Sequence, residues 1–237
     1  MRVQVEETTT PLDIIGDVHG CFNELMSLVE LLGYDRQGIH PDGRKLVFLG
    51  DLCDRGPFNA DVFDWVYTRW KRGDLYWCMG NHDNKLFRWM KGNPVQVDVH
   101  GYGITARQMS VRYKDLDERE RIGKALLETL PHKIEFRAHN LVCVHAYPGD
   151  TPEECYYGLR NAKRQRLSWW ENWEGGEDGV FVAFGHYWMN DPTPYPRHVC
   201  LDTSCCRGGT LTAMRWPEQE IHEVKAFGYY DPDYPVP

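Results

Sequence analysis

The chain has 237 residues, 42% hydrophobic and 26% charged, the balance of a soluble protein with an ordinary core. Its 27 Lys and Arg against 35 Asp and Glu give a formal charge of -8, which argues against gripping bulk nucleic acid through its phosphates or docking on an anionic membrane. No apolar run approaches the roughly 18 residues of a membrane span, and MRVQVEETTT lacks the apolar centre of a secretory signal, so a cytoplasmic protein with reduced thiols is expected. None of the eight cysteines is spaced C-x-x-C, and the vicinal Cys205-Cys206 pair receives no function.

In chain order, residues 1–10 read as a flexible extension. LDII at 12–15 then runs into Gly16-Asp17, and short apolar runs closed by glycine read as buried strands. Phe22, Leu25, Met26, Val29 and Leu32 form a helical stripe with a stop at Gly33. KLVFL at 45–49 runs into Gly50-Asp51. Val62, Phe63, Val66, Tyr67 and Trp70 repeat the helical stripe, stopped near Gly73. LYWCM at 75–79 runs into Gly80-Asn81, and 115–130 reads as a third helix with a solvated charged face. LVCV at 141–144 ends at His145, and VFVAF at 180–184 ends at Gly185-His186. From residue 197 onward, RHVCLDT, TLTAMRW and EIHEVKA read as strands. The pattern predicts one α/β domain over 11–228 and a Pro/Tyr-rich tail over 229–237.

Five strand ends therefore deliver Asp17, His19, Asp51, Asn81, His145 and His186 to the sheet edge that ligand sites of α/β proteins favour. Three oxygen donors and three imidazoles are too many for one zinc with an open position, and they suit two divalent ions bridged by a carboxylate. Manganese is the first expectation, with iron, zinc, cobalt or nickel as alternatives. Two such ions make a clamp for phosphoryl transfer. His82 follows Asn81 and is placed to protonate a departing oxygen, Asp54 is placed to hold its ring, and Arg55 offers a fork for phosphate oxygens.

GDVHG at 16–20, GDLCDRG at 50–56, GNHD at 80–83, VHA at 144–146 and GH at 185–186 together resemble the calcineurin-like metallophosphoesterases, within them the phosphoprotein-phosphatase branch. The likeness runs from about residue 12 to residue 226. It implies the metallophosphoesterase fold, two stacked mixed β-sheets flanked by α-helices. It also implies a first metal on Asp17, His19 and Asp51, with Asp51 bridging to a second on Asn81, His145 and His186. The implied reaction is in-line attack of a metal-bridging hydroxide, with His82 as general acid oriented by Asp54, and Arg55 plus a second arginine on the phosphate. Arg164 or Arg166 is the expected second arginine, with Arg160 as a further candidate.

Two signatures point to subfamily. LDTSCCRGGTLTAMRW at 201–216 resembles bacterial symmetrical diadenosine tetraphosphatases, and GNHDNKLFRWMKGN at 80–93 is similar to the smaller asymmetrical ones and to the phosphatase module of polynucleotide kinase-phosphatases. A dinucleoside polyphosphate is the first substrate expectation. A phosphoprotein, as for phage-type phosphatases, and a nucleic-acid end are the alternatives, and a non-catalytic binding module is disfavoured by the intact acid. HAY at 145–147 and GHYW at 185–188 depart from the family pattern, as do Ser204 and Arg207, which are expected near the substrate mouth. Trp169, Trp170, Trp173, Tyr187 and Trp188 are candidates to stack a base, although core packing is the commoner role of such residues. His100 lacks motif context and reads as structural or surface.

Overall fold

Strand alternation divides each apolar run between two faces. The computed structural model describes residues 1–97, 99–158, 179–192, 195–231 and 233. Along β2 (Leu12–Ile15), Leu12 and Ile14 enter a core that also holds Val47 and Leu49, whereas Ile15 joins Phe48 in a second core on the opposite face. The first sheet has the order β10-β9-β2-β3-β4. In it β3 (Lys45–Phe48) and β4 (Tyr76–Trp77) extend β2 in parallel, and β9 (Thr210–Trp216) and β10 (Glu220–Lys225) add as an antiparallel pair. The second sheet is β1 (Val3–Glu6), β5 (Lys133–Phe136), β6 (Leu141–Val144), β7 (Phe181–Phe184) and β8 (His198–Cys200), in that order.

The two sheets pack face to face, with Leu12, Ile14, Val47 and Met214 of one against Ile134, Phe136, Cys143 and Val199 of the other. On the outer face of the first sheet lie α1 (Phe22–Leu31), α2 (Asn59–Arg72), α3 (Asn81–Met90), α4 (Tyr102–Arg112) and α5 (Leu116–Thr129), which share the other large core. The short α6 (Pro152–Tyr157) supplies Cys155 to a smaller cluster with Val144, Val182 and Phe184. The two stacked mixed sheets flanked by helices are the architecture that the resemblance implies.

The first two expected helices form as α1 and α2, and Gly73 terminates α2 at φ 77°. The third forms as α5, with Asp115 accepting from the amides of Asp117 and Glu118 as its N-cap. Three helices, α3, α4 and α6, have no counterpart in the sequence reading. The last was legible: Thr151 and Glu154 form a capping box around Pro152 at the first turn.

Within residues 1–10, Val3–Glu6 forms an edge strand parallel to β5, with Val3 opposite Lys133 and Glu6 opposite Phe136. A partner about one hundred and thirty residues away leaves no local signal. His132 anchors this strand: its buried Nδ1 accepts the Arg2 amide at 3.1 Å, so the ring must be neutral at that nitrogen. Burial, and then the charges of Arg2 and the N-terminal amine, push its pKa down from 6.5 to about 4. The unfolded chain therefore binds this proton first, and stability is full above pH 6.5 and lost as pH falls toward 4. Denaturant melts between pH 7 and 4.5 should cost wild type about 2 to 3 kcal/mol, at most, more than His132→Gln. Equal slopes would remove His132 as the cause.

Candidate metal centre and active site

Parallel pairing in register aligns the strand ends: Ile15 faces Phe48, Phe48 faces Trp77, and in the other sheet Cys143 faces Ala183. The residues that follow these ends meet at one edge of the sandwich. Two motif glycines exist for that close approach. A side chain at Gly80 would meet Asp51 Oδ1 at 2.2 Å, and one at Gly185 would meet Asp17 Oδ1 at 2.0 Å. Asp17, His19, Asp51, His82 and His145 are all buried there.

Asp51 stands at the centre. Its Oδ2 lies 3.3 Å from His145 Nε2, 3.8 Å from His19 Nε2 and 3.9 Å from His82 Nε2. The ligand atoms of His19, Asp51 and His82 lie within 4.8 Å of one another, as do those of Asp51, His145 and His186. Asp17 Oδ2 is 3.9 Å from His19 Nε2, and Asn81 Oδ1 is 3.0 Å from His145 Nε2. The six expected ligand residues lie close together; the two donor groups meet at Asp51, but the first holds His82, the expected acid, in place of Asp17, and Asn81 reaches the second only through His145.

These donors fit divalent ions. His19 donates from Nδ1 to the Cys53 carbonyl and His145 from Nδ1 to the Leu49 carbonyl, both at 2.9 Å, which turns each Nε2 inward. Metal-binding imidazoles are oriented in this way. Burial, and then Asp202 and Asp51, push Asp17 well above the usual carboxylate range. Burial opposes both shifts at the neighbouring pair, yet the facing histidines hold Asp51 well below that range, and Asp51 and Asp17 raise His145 to about 10. His186 is pushed down to about 3 by burial and by His145. Asp17, Asp51 and Asp202 crowd one buried space, which a cation would relieve.

Beside this centre, His82 Nδ1 meets Asp54 Oδ2 at 2.5 Å, and Thr105 Oγ1 donates to Asp54 Oδ1 at 2.5 Å. His82 is the second residue of α3, and its amide donates to Asp51 Oδ1 at 2.9 Å, so the helix N-terminus faces the carboxylates. Asp83, absent from the sequence reading, holds this junction by accepting from the amides of Gly80, Asp51 and Leu52 and from the Trp77 indole. Its place as the third residue of a helix that starts at a motif glycine was the available signal.

Arg55 reaches His19 Nε2 through Nη1, and its Nε lies 3.4 Å from the buried Asp231 carboxylate. Arg207 Nε donates to the same carboxylate at 2.8 Å. Both arginines line a cavity of about 170 Å³ together with Asp17, Asp51 and His82. Arg160, Arg164 and Arg166 lie outside the described residues, as do Trp169, Trp170 and Trp173. Trp188 lines the cavity, with the Arg207 guanidinium 5.2 Å from its ring centroid.

His100 and Asp202 also line this cavity, although sequence reasoning gave neither a role. The His100 ring stands 5.9 Å from that of His82, brought there by a loop without motif context. Of nine described non-glycine residues with positive φ, seven (His19, Asp51, Asp54, Arg55, His100, His186 and Ser204) line the cavity or touch His82. Such backbone costs of order 1–3 kcal/mol per residue and gathers where function over-determines geometry.

The family model for calcineurin-like phosphoesterase matches residues 10–220. A bis(5'-nucleosyl)-tetraphosphatase PrpE, asymmetrical, from Halalkalibacterium halodurans is 38% identical over 90% of this chain and 92% of its own length. The protein of the same name from Bacillus subtilis strain 168 is 34% identical, over 92% and 96%. A crystal structure of a provisionally named diadenosine tetraphosphatase superposes with a TM-score of 0.67 at 23% identity, over 96% of this chain and 99% of that one. A match that spans most of the sequence, the donor-bearing strand ends included in its range, makes this chain a member of the calcineurin-like phosphoesterases and a phosphohydrolase.

Proposed function

We propose that this protein hydrolyses dinucleoside polyphosphates, cleaving diadenosine tetraphosphate asymmetrically to ATP and AMP. The observation that carries the reading is the pair of donor groups sharing Asp51, set against the His82–Asp54 pair and the two arginines tied by Asp231. Curated relatives with the asymmetrical name support the substrate and the cleavage pattern.

Asp17, His19 and Asp51 would hold one divalent ion, and Asp51, Asn81, His145 and His186 a second, with manganese favoured by the oxygen and nitrogen donors. Bound there, the ions would activate the attacking water and neutralise phosphate charge. The chain's own residues do the rest. Arg55 and Arg207 hold non-bridging oxygens of the phosphate under attack. Asp54 fixes the His82 ring so that Nε2 faces the cavity and gives its proton to the departing oxygen as the P–O bond breaks. The arriving water oxygen stays on phosphorus, and burial around Asp51 limits competing solvent. A cytoplasmic location belongs to the same proposal and is supported by eight free, buried cysteines, the state of a reducing compartment.

The test is parallel assay of the manganese-loaded protein on diadenosine tetraphosphate, a phosphopeptide and p-nitrophenyl phosphate, with chromatography of the nucleotide products. ATP and AMP in equal amounts, with kcat/KM highest for the dinucleotide, are expected. ADP alone would overturn the asymmetric pattern, and a preference for the phosphopeptide would overturn the substrate.

A further inference from the structure

The cavity around Asp51 holds about 170 Å³, less than the roughly 300 to 1,000 Å³ of a site that takes a nucleotide-sized ligand. A second cavity of about 510 Å³ opens from it, and the two share Arg55, Asn81, His82, His100 and His186 as a common wall. The new cavity therefore begins at the proposed general acid. A group that takes a proton from His82 leaves toward the side that His82 faces, and this space adjoins it.

Its chemistry is unlike that of the whole chain. The protein carries a formal charge of -8, yet the described lining of this cavity includes Arg55, Lys85 and Arg88 and no Asp or Glu. Lys85 and Arg88 follow Asn81 along α3 at i+4 and i+7, so the three share one helix face. At 1.5 Å per residue they form a row about 10 Å long leading away from the metal centre. Lys85 rests its ammonium 4.2 Å from the centroid of the Tyr102 ring, which steadies the long side chain. Pro94, Val95 and Tyr157 give the same cavity an apolar wall.

We propose that this second cavity is the subsite of the leaving nucleotide, with Lys85 and Arg88 holding its polyphosphate and the apolar wall receiving its nucleoside. The assignment rests on the dinucleoside polyphosphate reading above and deepens it. Water adds its oxygen to the attacked phosphorus, the P–O bond to the bridging oxygen breaks, and that oxygen leaves with the nucleotide in this cavity, carrying the His82 proton. A neutral seryl leaving group would gain nothing from the two cations, whereas a nucleoside polyphosphate needs them.

Calorimetric titration of the manganese-loaded protein with β,γ-methylene ATP and with inorganic phosphate tests the subsite. Lys85→Met combined with Arg88→Met should weaken the nucleotide at least about tenfold and leave phosphate within twofold. Lys85→Arg combined with Arg88→Lys should restore most of the loss. In kinetics, the Met pair should raise KM for diadenosine tetraphosphate by a similar factor and leave p-nitrophenyl phosphate unchanged. Nucleotide affinity within twofold of wild type would overturn the proposal, and so would equal losses for nucleotide and phosphate. The titration needs no turnover, so a wild-type protein that binds the nucleotide here but does not cleave the dinucleotide would sink the substrate reading and spare the subsite.

Discussion

Replacing His82 with alanine is expected to lower kcat for diadenosine tetraphosphate about a hundred- to ten-thousandfold, the range for loss of a positioned general acid. The size follows from how completely the ring is fixed. Asp54 Oδ2 meets Nδ1 at 2.5 Å, Thr105 holds the other Asp54 oxygen, and the His82 amide is spent on Asp51. Only Nε2 remains to face the cavity, 3.9 Å from Asp51 Oδ2. An acid matters most for a poor leaving group, so the loss on p-nitrophenyl phosphate should be smaller. Asp54→Asn keeps the shape but weakens the hold on the ring, and should fall between wild type and His82→Ala. Because His82 also belongs to a group of potential ligand atoms, metal content must be measured with the kinetics. Retained metal with a leaving-group-dependent loss is the expected result. An equal loss on both substrates would give His82 a ligand's role, and turnover within a few fold of wild type would leave it no catalytic role.

What the sequence made legible, and what it did not, divides by the range of the interactions. Asp17, Asp51, Asn81, His145 and His186 each follow a short glycine- or histidine-bounded apolar run that reads as a buried strand, and parallel register brings such ends together. Their chemistry was written in local order. Asp83 was partly legible, since it caps the helix its own motif begins, but its acceptance of the Asp51 and Leu52 amides is a tertiary fact. His100 reaches the cavity from a loop between α3 and α4, with its amide bonded to Asp233 near the chain's end. No pattern around residue 100 announces a contact 133 residues away. Asp231 is similar: a tail read as Pro/Tyr-rich contributes the buried carboxylate that ties Arg55 to Arg207. In the same way β1 pairs with a strand about one hundred and thirty residues later, and its alternating half-exposed residues resemble an extended tail. Motif residues were readable because the backbone positions them, and their supporting groups were not because packing alone does.

Substituting Asp51 with asparagine should be the most damaging single change to the centre, while leaving the fold intact. Asparagine keeps the oxygen that accepts the His82 amide at 2.9 Å and removes only the charge. That charge is the shared feature of both donor groups. Burial disfavours it, yet His145, His82 and His19 hold the carboxyl well below its ordinary range, which favours the ionised form. Loss of that charge would leave both donor groups without the anion they share, so a divalent ion at either would lose a ligand and the negative charge that offsets its own. Changing a supporting partner typically costs 10- to 100-fold in metal affinity, so a shared carboxylate should cost more than about a hundredfold. Elemental analysis after gel filtration should find at most one divalent ion per chain, against two in wild type. Turnover should fall more than about a thousandfold, at or above the middle of the range for a single acid–base group, because both donor groups share this residue. Circular dichroism should be unchanged, since the strands beneath Asp51 keep their cores. Two ions retained, with turnover within tenfold of wild type, would show that the groups do not meet at Asp51 and would return the carboxylate to a purely structural part.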